Sequence, residues 1–236
     1  MKPSPHEKSL RAPAQYLPPE VPHPSGRCAG ILFDAEKHEY RLGDVLLPSV
    51  TEIIRANVSG WNAGLWFLQR GQRVHEAIHL LLENKLDWET VDPRIFARIN
   101  AIEKLRSDLQ LTLVVTEFRL FSRHLLFAGT LDAVICSGDE LILCDWKSSL
   151  DPVALEPQLG GYSLLWSENF RAKQLQRVVG AELHDDGTYK LWWGSRQPKR
   201  DVAQFNLNDA EKLFLHMHAV AGWKRKHNQQ KETANV

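Results

Sequence analysis

Three consecutive apolar segments between residues 111 and 148 constrain the fold of this chain more than any other feature. The segments read LTLVVTEFRLF, HLLFAGTLDAVIC and ELILCDWKS, and short polar breaks such as Ser137-Gly138-Asp139 separate them. Apolar runs of this length between turn residues are typical of buried strands. They predict a three-strand meander at the centre of the folded domain.

Short strands and helices surround this meander. Pro48 ends the last of three early strands, and Ser49 or Thr51 is placed to cap the helix that follows. The other predicted elements are strands at 31–33, 38–42, 45–47, 175–183 and 188–193, and helices at 62–84, 92–109, 154–168 and 207–226. This order predicts an α/β (α+β) fold in which helices flank a central mixed β-sheet.

The chain has 236 residues, enough for one sizeable domain with its own core. Residues 1–27 hold most of the prolines and almost no apolar pattern, which predicts a flexible N-terminal tail. We place the folded domain at 28–226 and a flexible C-terminal tail at 227–236. The sequence has no apolar run of bilayer-spanning length and no apolar signal core, so we expect a cytoplasmic protein with no membrane partner.

Charge and cysteine content narrow the class of protein. The formal net charge is +0, which counts slightly against a nucleic-acid binder, although an acidic metal site can cancel a basic groove. Cys28, Cys136 and Cys144 fit neither a zinc ribbon nor a disulfide framework. The cysteine pattern therefore indicates a reducing compartment.

The third strand of the meander ends in Asp145-Trp146-Lys147. Side chains alternate along a strand, so Asp145 and Lys147 should share a face while Trp146 points away. A carboxylate and an amine beside an apolar strand need partners, because unpaired charge is costly to bury. A structural ion pair and a functional site both satisfy that need.

Two further acids lie on the preceding strands. The turn after Cys136 should bring Asp132 to a height comparable with Asp145, and two close carboxylates repel unless they share a proton or a cation. A hard divalent ion such as Mg²⁺ resolves this conflict. Glu117, one strand further back, is a third candidate ligand, but it can equally pair with Arg119 or Arg123.

Histidines on the helix at 62–84 offer a competing hypothesis. His75, Glu76 and His79 form the pattern H-E-x-x-H, which in metalloproteases binds zinc with the glutamate as general base. That hypothesis leaves Asp132 and Asp145 unexplained, and no third zinc ligand stands out downstream.

Five separated motifs, in this order, resemble those of the PD-(D/E)XK nucleases, in particular the RecB-type nuclease domains and their phage and mitochondrial exonuclease relatives. The motifs are LPSVTEII, RGQRVH, GTLD, DWKS and QLGGY, and they cover roughly residues 45–165. The resemblance implies a restriction-endonuclease-like core and a metal-dependent DNA nuclease. Iron–sulfur relatives use four cysteines, so with only three here we expect no iron–sulfur cluster.

The resemblance also implies roles for individual residues. Asp132, Asp145 and the carbonyl of Trp146 would bind the catalytic Mg²⁺ or Mn²⁺, with His75 as a further ligand. Lys147 would orient or deprotonate the attacking water, or steady the phosphate. The remaining implied residues are Glu117 as a possible ligand, and Gln158 and Tyr162 as DNA contacts or supports of the site. Beyond the resemblance, the basic charge of Arg70, Arg73 and the C-terminal helix predicts that they hold the phosphate backbone.

The motif set favours an exonuclease acting in recombination, repair or phage DNA processing, in the cytoplasm of a bacterial or phage-infected cell. Because helicase motifs are missing from the sequence, unwinding would come from a recombination or helicase protein partner. Two alternatives stay open: a structure-specific endonuclease, and a non-catalytic nucleic-acid-binding protein that retains the fold. The sequence decides neither the polarity, nor the strand preference, nor the oligomeric state.

Overall fold

The computed structural model describes residues 30–59 and 65–234 of the chain. Two 3-10 helices, Trp88–Thr90 and Pro93–Ile95, accompany the main elements. In chain order the main elements are β1 (Ile31–Asp34), β2 (Glu39–Leu42), β3 (Val45–Leu47), α1 (Val50–Arg55), α2 (Leu65–Leu82), α3 (Phe96–Leu109), β4 (Thr112–Ser122), β5 (Phe127–Ser137), β6 (Glu140–Lys147), α4 (Pro152–Asn169), β7 (Arg177–Leu183), β8 (Tyr189–Ser195), α5 (Pro198–Asp201), β9 (Phe205–Asn206) and α6 (Leu207–Ala234).

Strands β4 to β9 form a six-stranded mixed sheet in sequence order. β4, β5 and β6 pair antiparallel, and Gly138 occupies a left-handed position (φ 58°) in the turn between β5 and β6. β6 and β7 are parallel because helix α4 carries the chain back between them. The predicted meander, the mixed sheet and the flanking helices are thus confirmed.

Helices cover both faces of this sheet. One core joins α1, α4 and α6 to the face that carries Phe118, Leu131 and Leu143. A second core joins α2 and α3 to the opposite face, which carries Ile135 and Cys144. Both faces are apolar, so the central strands read as nearly continuous hydrophobic runs.

Strands β1, β2 and β3 form a separate antiparallel sheet. Its contact with the main sheet includes a hydrogen bond of 2.7 Å between the hydroxyls of Tyr40 and Thr130. Ser49 then starts α1 in a capping box with Glu52, as one of the two predicted caps. The early strands therefore hold the N-terminus of α1 against the start of β5, where Ser49 forms a β-bridge with Ala128.

Several boundaries differ from the sequence-based expectation. Helix α6 continues to Ala234, into the segment assigned to the C-terminal tail, because residues 227–234 contain neither proline nor glycine and include good helix formers. The expected N-terminal tail at 1–27 lies outside the described residues. Within the described part of the chain, every helix is too short or too polar to cross a bilayer.

The glycine pair in α4 allows α6 to approach closely. A Cβ atom on Gly160 would lie 2.5 Å from the backbone of Ala210, and one on Gly161 would lie 2.7 Å from the ring of Phe214. Such distances require a shift of backbone or of a buried ring. Helix-on-helix packing therefore explains why two glycines occur within a helix.

We expect Gly160→Ala to lower the free energy of unfolding by about 1–3 kcal/mol, because the added methyl overlaps the backbone of α6. Gly71→Ala is the matched control, since a Cβ there meets nothing within 4 Å and alanine is the better helix former. Urea denaturation of both variants measures the difference. Equal stability of the two variants would contradict the close packing of α4 on α6.

Candidate metal centre and active site

The candidate site lies where strands β5 and β6 part. Their last paired residues are Ala133 and Cys144, so Asp132 and Asp145 occupy the next opposed positions. Asp132 Oδ2 accepts a hydrogen bond of 2.7 Å from the backbone N–H of Trp146. The carboxylate thus accepts the hydrogen bond that a backbone carbonyl of the neighbouring strand would accept in a regular sheet. This bond fixes the carboxylate between the two strands.

Asp145 and Lys147 form an ion pair on one face of β6. Lys147 Nζ lies 2.6 Å from Asp145 Oδ2, which confirms the predicted alternation. Asp145 is only 1% exposed. Burial raises the pKa of Asp145 to about 6 against the lowering effect of the Lys147 ammonium, and the nearby Asp132 carboxylate adds to the rise.

Helix α2 brings His75 to the same place. His75 Nδ1 lies 3.4 Å from Asp132 Oδ1, and its Nε2 lies 2.9 Å from the carbonyl oxygen of Trp146. Burial disfavours the charged imidazole, but the Asp132 carboxylate outweighs this effect and raises the pKa of His75 to about 9. His75 and Asp132 therefore stabilise each other's charged form.

Glu117 faces this cluster from an unusual backbone position. It lies opposite Asp132, between the register pairs Thr116–Ala133 and Phe118–Leu131, and its φ of 48° is left-handed. A non-glycine residue there costs roughly 1–2 kcal/mol, and such strain is concentrated at functional sites. Burial, followed by the Asp132 carboxylate, raises the pKa of Glu117 to about 7.

One ligand atom each from His75, Glu117 and Asp132 lies within 4.8 Å of the others. The carbonyl oxygen of Trp146 lies 2.9 Å from His75 Nε2, within hydrogen-bond distance, and so adds a further oxygen beside this group. One imidazole together with carboxylate and carbonyl oxygens is a donor set that can hold a divalent cation, and it does not select one such cation over another.

Glu117 lies with His75 and Asp132, as expected of a third candidate ligand, and not with Arg119 or Arg123 as in the open alternative. Asp145, which was also expected among the ligands, is outside that three-residue group. Its Oδ2 lies 2.6 Å from the Lys147 ammonium.

His79 does not join the candidate ligands among the described residues. Its Nδ1 lies 3.4 Å from the Thr116 hydroxyl, which in turn donates a 2.9 Å hydrogen bond to the carbonyl of Asp132. The cluster pairs His75 with carboxylates from two strands and not with His79. This geometry disfavours the zinc-protease hypothesis, and it reveals Thr116 as a support of the site that strand periodicity alone does not distinguish.

Gln158 and Tyr162 on α4 are both buried. Gln158 Nε2 donates to the Tyr162 hydroxyl at 3.2 Å, and Gln158 Oε1 has no hydrogen-bond partner within the described residues. Burial and the carboxylates of Asp145 and Asp132 raise the pKa of Tyr162 well above its usual value. A Cβ atom on Gly129 would lie 2.8 Å from the Tyr162 ring, so the ring packs on β5 and is not available for stacking on a base.

Arginines surround the end of the sheet next to this cluster. Arg70 on α2 lies 3.7 Å from Asp185 Oδ2, and Arg73 is exposed two residues before His75. Arg98, which the sequence analysis did not single out, is 4% exposed and donates to Asp185 and to the carbonyl of Leu183. Its donors thus tie α3 to the end of β7, beside the C-terminal end of β6.

Comparison with known proteins gives little further information. No family model and no curated protein matches the sequence. The crystal structure of SSO0001 is similar over 73% of this chain and 75% of its own, with 12% sequence identity and a TM-score of 0.33. A likeness this low supports no conclusion about function, so function has to be argued from the site itself.

Proposed function

We propose that this chain is a divalent-metal-dependent deoxyribonuclease that hydrolyses phosphodiester bonds. The observation that carries the proposal is the convergence of His75, Glu117 and Asp132 beside the Asp145–Lys147 pair. Buried like charges are costly unless something neutralises them. The strained backbone at Glu117 adds a second cost, which is expected where geometry serves function.

The residues divide into metal ligands and a neighbouring cation. His75, Glu117, Asp132 and the Trp146 carbonyl would hold Mg²⁺ or Mn²⁺, and Asp145 offers its second oxygen. When bound, such an ion lowers the pKa of a water ligand toward about 7 and neutralises charge on the phosphate. Lys147, held by Asp145, would orient that water or stabilise the charge that develops on the phosphoryl oxygens.

DNA would be held outside this centre. Arg70, Arg73 and the basic residues of α6 would contact the phosphate backbone without regard to sequence. Gln158 and Tyr162 are buried and would support the site, not contact DNA. The motif set favours an exonuclease in recombination, repair or phage DNA processing, with a helicase or recombination protein as partner.

End-labelled linear DNA and a closed circle, each incubated with Mg²⁺, test this proposal. We expect degradation of the linear DNA alone. Cutting of the closed circle would show that the protein is an endonuclease and not an exonuclease. If wild type and Lys147→Ala degrade the DNA equally, the activity comes from a contaminant and the nuclease proposal is rejected.

We expect Mn²⁺ binding to weaken as the pH falls. The pKa of His75 is about 9 and that of Glu117 about 7, and both groups must lose a proton to bind metal. Between about pH 7 and 9 one proton, that of His75, competes with the metal, so the association constant should fall about tenfold per pH unit. Below about pH 7 the proton of Glu117 competes as well, and the fall should steepen. Calorimetric titrations at about pH 6, 7 and 8 measure this dependence. Equal affinities at the three values would contradict the ligand assignment.

A further inference from the structure

The second half of α6 is strongly basic in a chain without net charge. Between Lys212 and Lys231 the sequence contains no aspartate or glutamate, although the chain as a whole balances its charges. Lys224, Arg225 and Lys226 follow one another there, and all three are exposed. Such a cluster of positive charge attracts a polyanionic partner.

Trp223 lies directly beside these cations and is 59% exposed. The imidazole of His227, one turn later, packs against the indole with 4.1 Å between ring centroids. Leu213 and Val220 precede Trp223 on the same side of the helix and are 42% and 43% exposed. An exposed, supported aromatic ring within a basic segment is a platform on which an unpaired base can stack.

The rest of α6 holds this platform in a fixed position. Asn57 Nδ2 donates a 3.0 Å hydrogen bond to the carbonyl of Met217, and Lys224 donates to the carbonyl of Ala56. Phe214 packs against Phe127 at the start of β5, with 5.0 Å between ring centroids. These contacts hold α6 against the end of α1 and the start of β5.

We propose that the surface formed by Trp223, Arg225, Lys226 and His227 binds single-stranded DNA. This inference rests on the proposed nuclease function, whose substrate it names as a strand with unpaired bases. One base stacks on the Trp223 indole while Arg225 and Lys226 contact neighbouring phosphates. A duplex keeps its bases stacked internally and gains only the phosphate contacts.

Fluorescence anisotropy in the presence of chelator tests this surface without cleavage. The probes are a labelled oligo(dT) of about 30 nucleotides and a duplex of the same length. Trp223→Ala should weaken oligo(dT) binding about tenfold, equivalent to about 1.4 kcal/mol, and duplex binding less than twofold, while Trp223→Phe should restore most of the affinity. Trp88→Ala, which removes another exposed tryptophan (39% exposed), should change neither.

The phosphate contacts have their own signature. Replacing both Arg225 and Lys226 by Ala should reduce the slope of log K against log salt by about 1.4 for oligo(dT), because each single-strand phosphate contact contributes about 0.7. An unchanged slope would overturn the assignment of these two residues.

Other outcomes reject the platform. Unchanged oligo(dT) affinity in Trp223→Ala, an equal loss for the duplex, or an equal loss in Trp88→Ala would each overturn it. Binding to phosphatidylserine–phosphatidylcholine vesicles that requires Trp223, with oligo(dT) affinity unchanged, would assign the surface to a membrane instead. If the wild-type protein cleaves no DNA but Trp223→Ala still weakens oligo(dT) binding, the result would support the platform and reject the nuclease.

Discussion

Asp132→Asn is expected to lower Mg²⁺-dependent DNA cleavage by roughly 10³-fold, the largest effect that we predict. Asp132 connects three groups of the centre: it faces His75, accepts the Trp146 N–H, and lies with Glu117 in the candidate ligand group. An amide keeps the size of the carboxylate and one acceptor oxygen but loses the charge that attracts a metal.

The controls for this variant separate catalysis from folding. Asn can still accept from the Trp146 N–H, and the lost attraction to His75 is offset by the lost repulsion from Asp145. The metal-free variant should therefore unfold at nearly the wild-type urea concentration. Asp209→Asn is the matched control, because Asp209 is exposed on α6, and it should leave cleavage unchanged. Cleavage by Asp132→Asn at the rate of Asp209→Asn would reject Asp132 as a metal ligand.

Lys147→Met is expected to reduce cleavage by about 10²- to 10³-fold. The substitution removes the ammonium that lies 2.6 Å from Asp145 while retaining an unbranched side chain. Burial already raises the pKa of Asp145 to about 6, and without its cation the carboxyl should hold its proton at still higher pH. The variant therefore loses both the positive charge at the phosphate and the charge on Asp145.

A pH–rate profile distinguishes this mechanism from a loss of stability. We expect the acidic limb of the profile to shift toward higher pH in Lys147→Met, because Asp145 then ionises later. Lys104→Met, an exposed lysine on α3, serves as the control and should keep the wild-type profile. A lower rate with an unshifted acidic limb would show that Lys147 does not set the charge of Asp145.

Local sequence patterns predict much of this fold. The three apolar runs correspond to β4, β5 and β6 because strands buried on both faces need apolar residues at nearly every position. Ser49 and Glu52 mark the start of α1, since the capping box is a local interaction. The shared face of Asp145 and Lys147 follows from strand alternation.

The details of the site depend on long-range contacts that periodicity does not contain. The left-handed backbone at Glu117 interrupts a strand that is otherwise regular in sequence. Asp132 lies between β5 and β6 because the pairing of the two strands stops at Ala133 and Cys144, and the sequence does not signal this. Arg98 looks like a surface residue of a helix, yet it is buried by its bonds to Asp185 and to the end of β7.

The most direct test of the central claim is the release of label from linear DNA as a function of free Mg²⁺ after chelator treatment. We expect wild-type protein to lose its activity in chelator and to regain it when Mg²⁺ or Mn²⁺ is restored, while Asp132→Asn stays inactive at every concentration. Degradation that continues undiminished in chelator, or that Asp132→Asn catalyses at the wild-type rate, would contradict that claim.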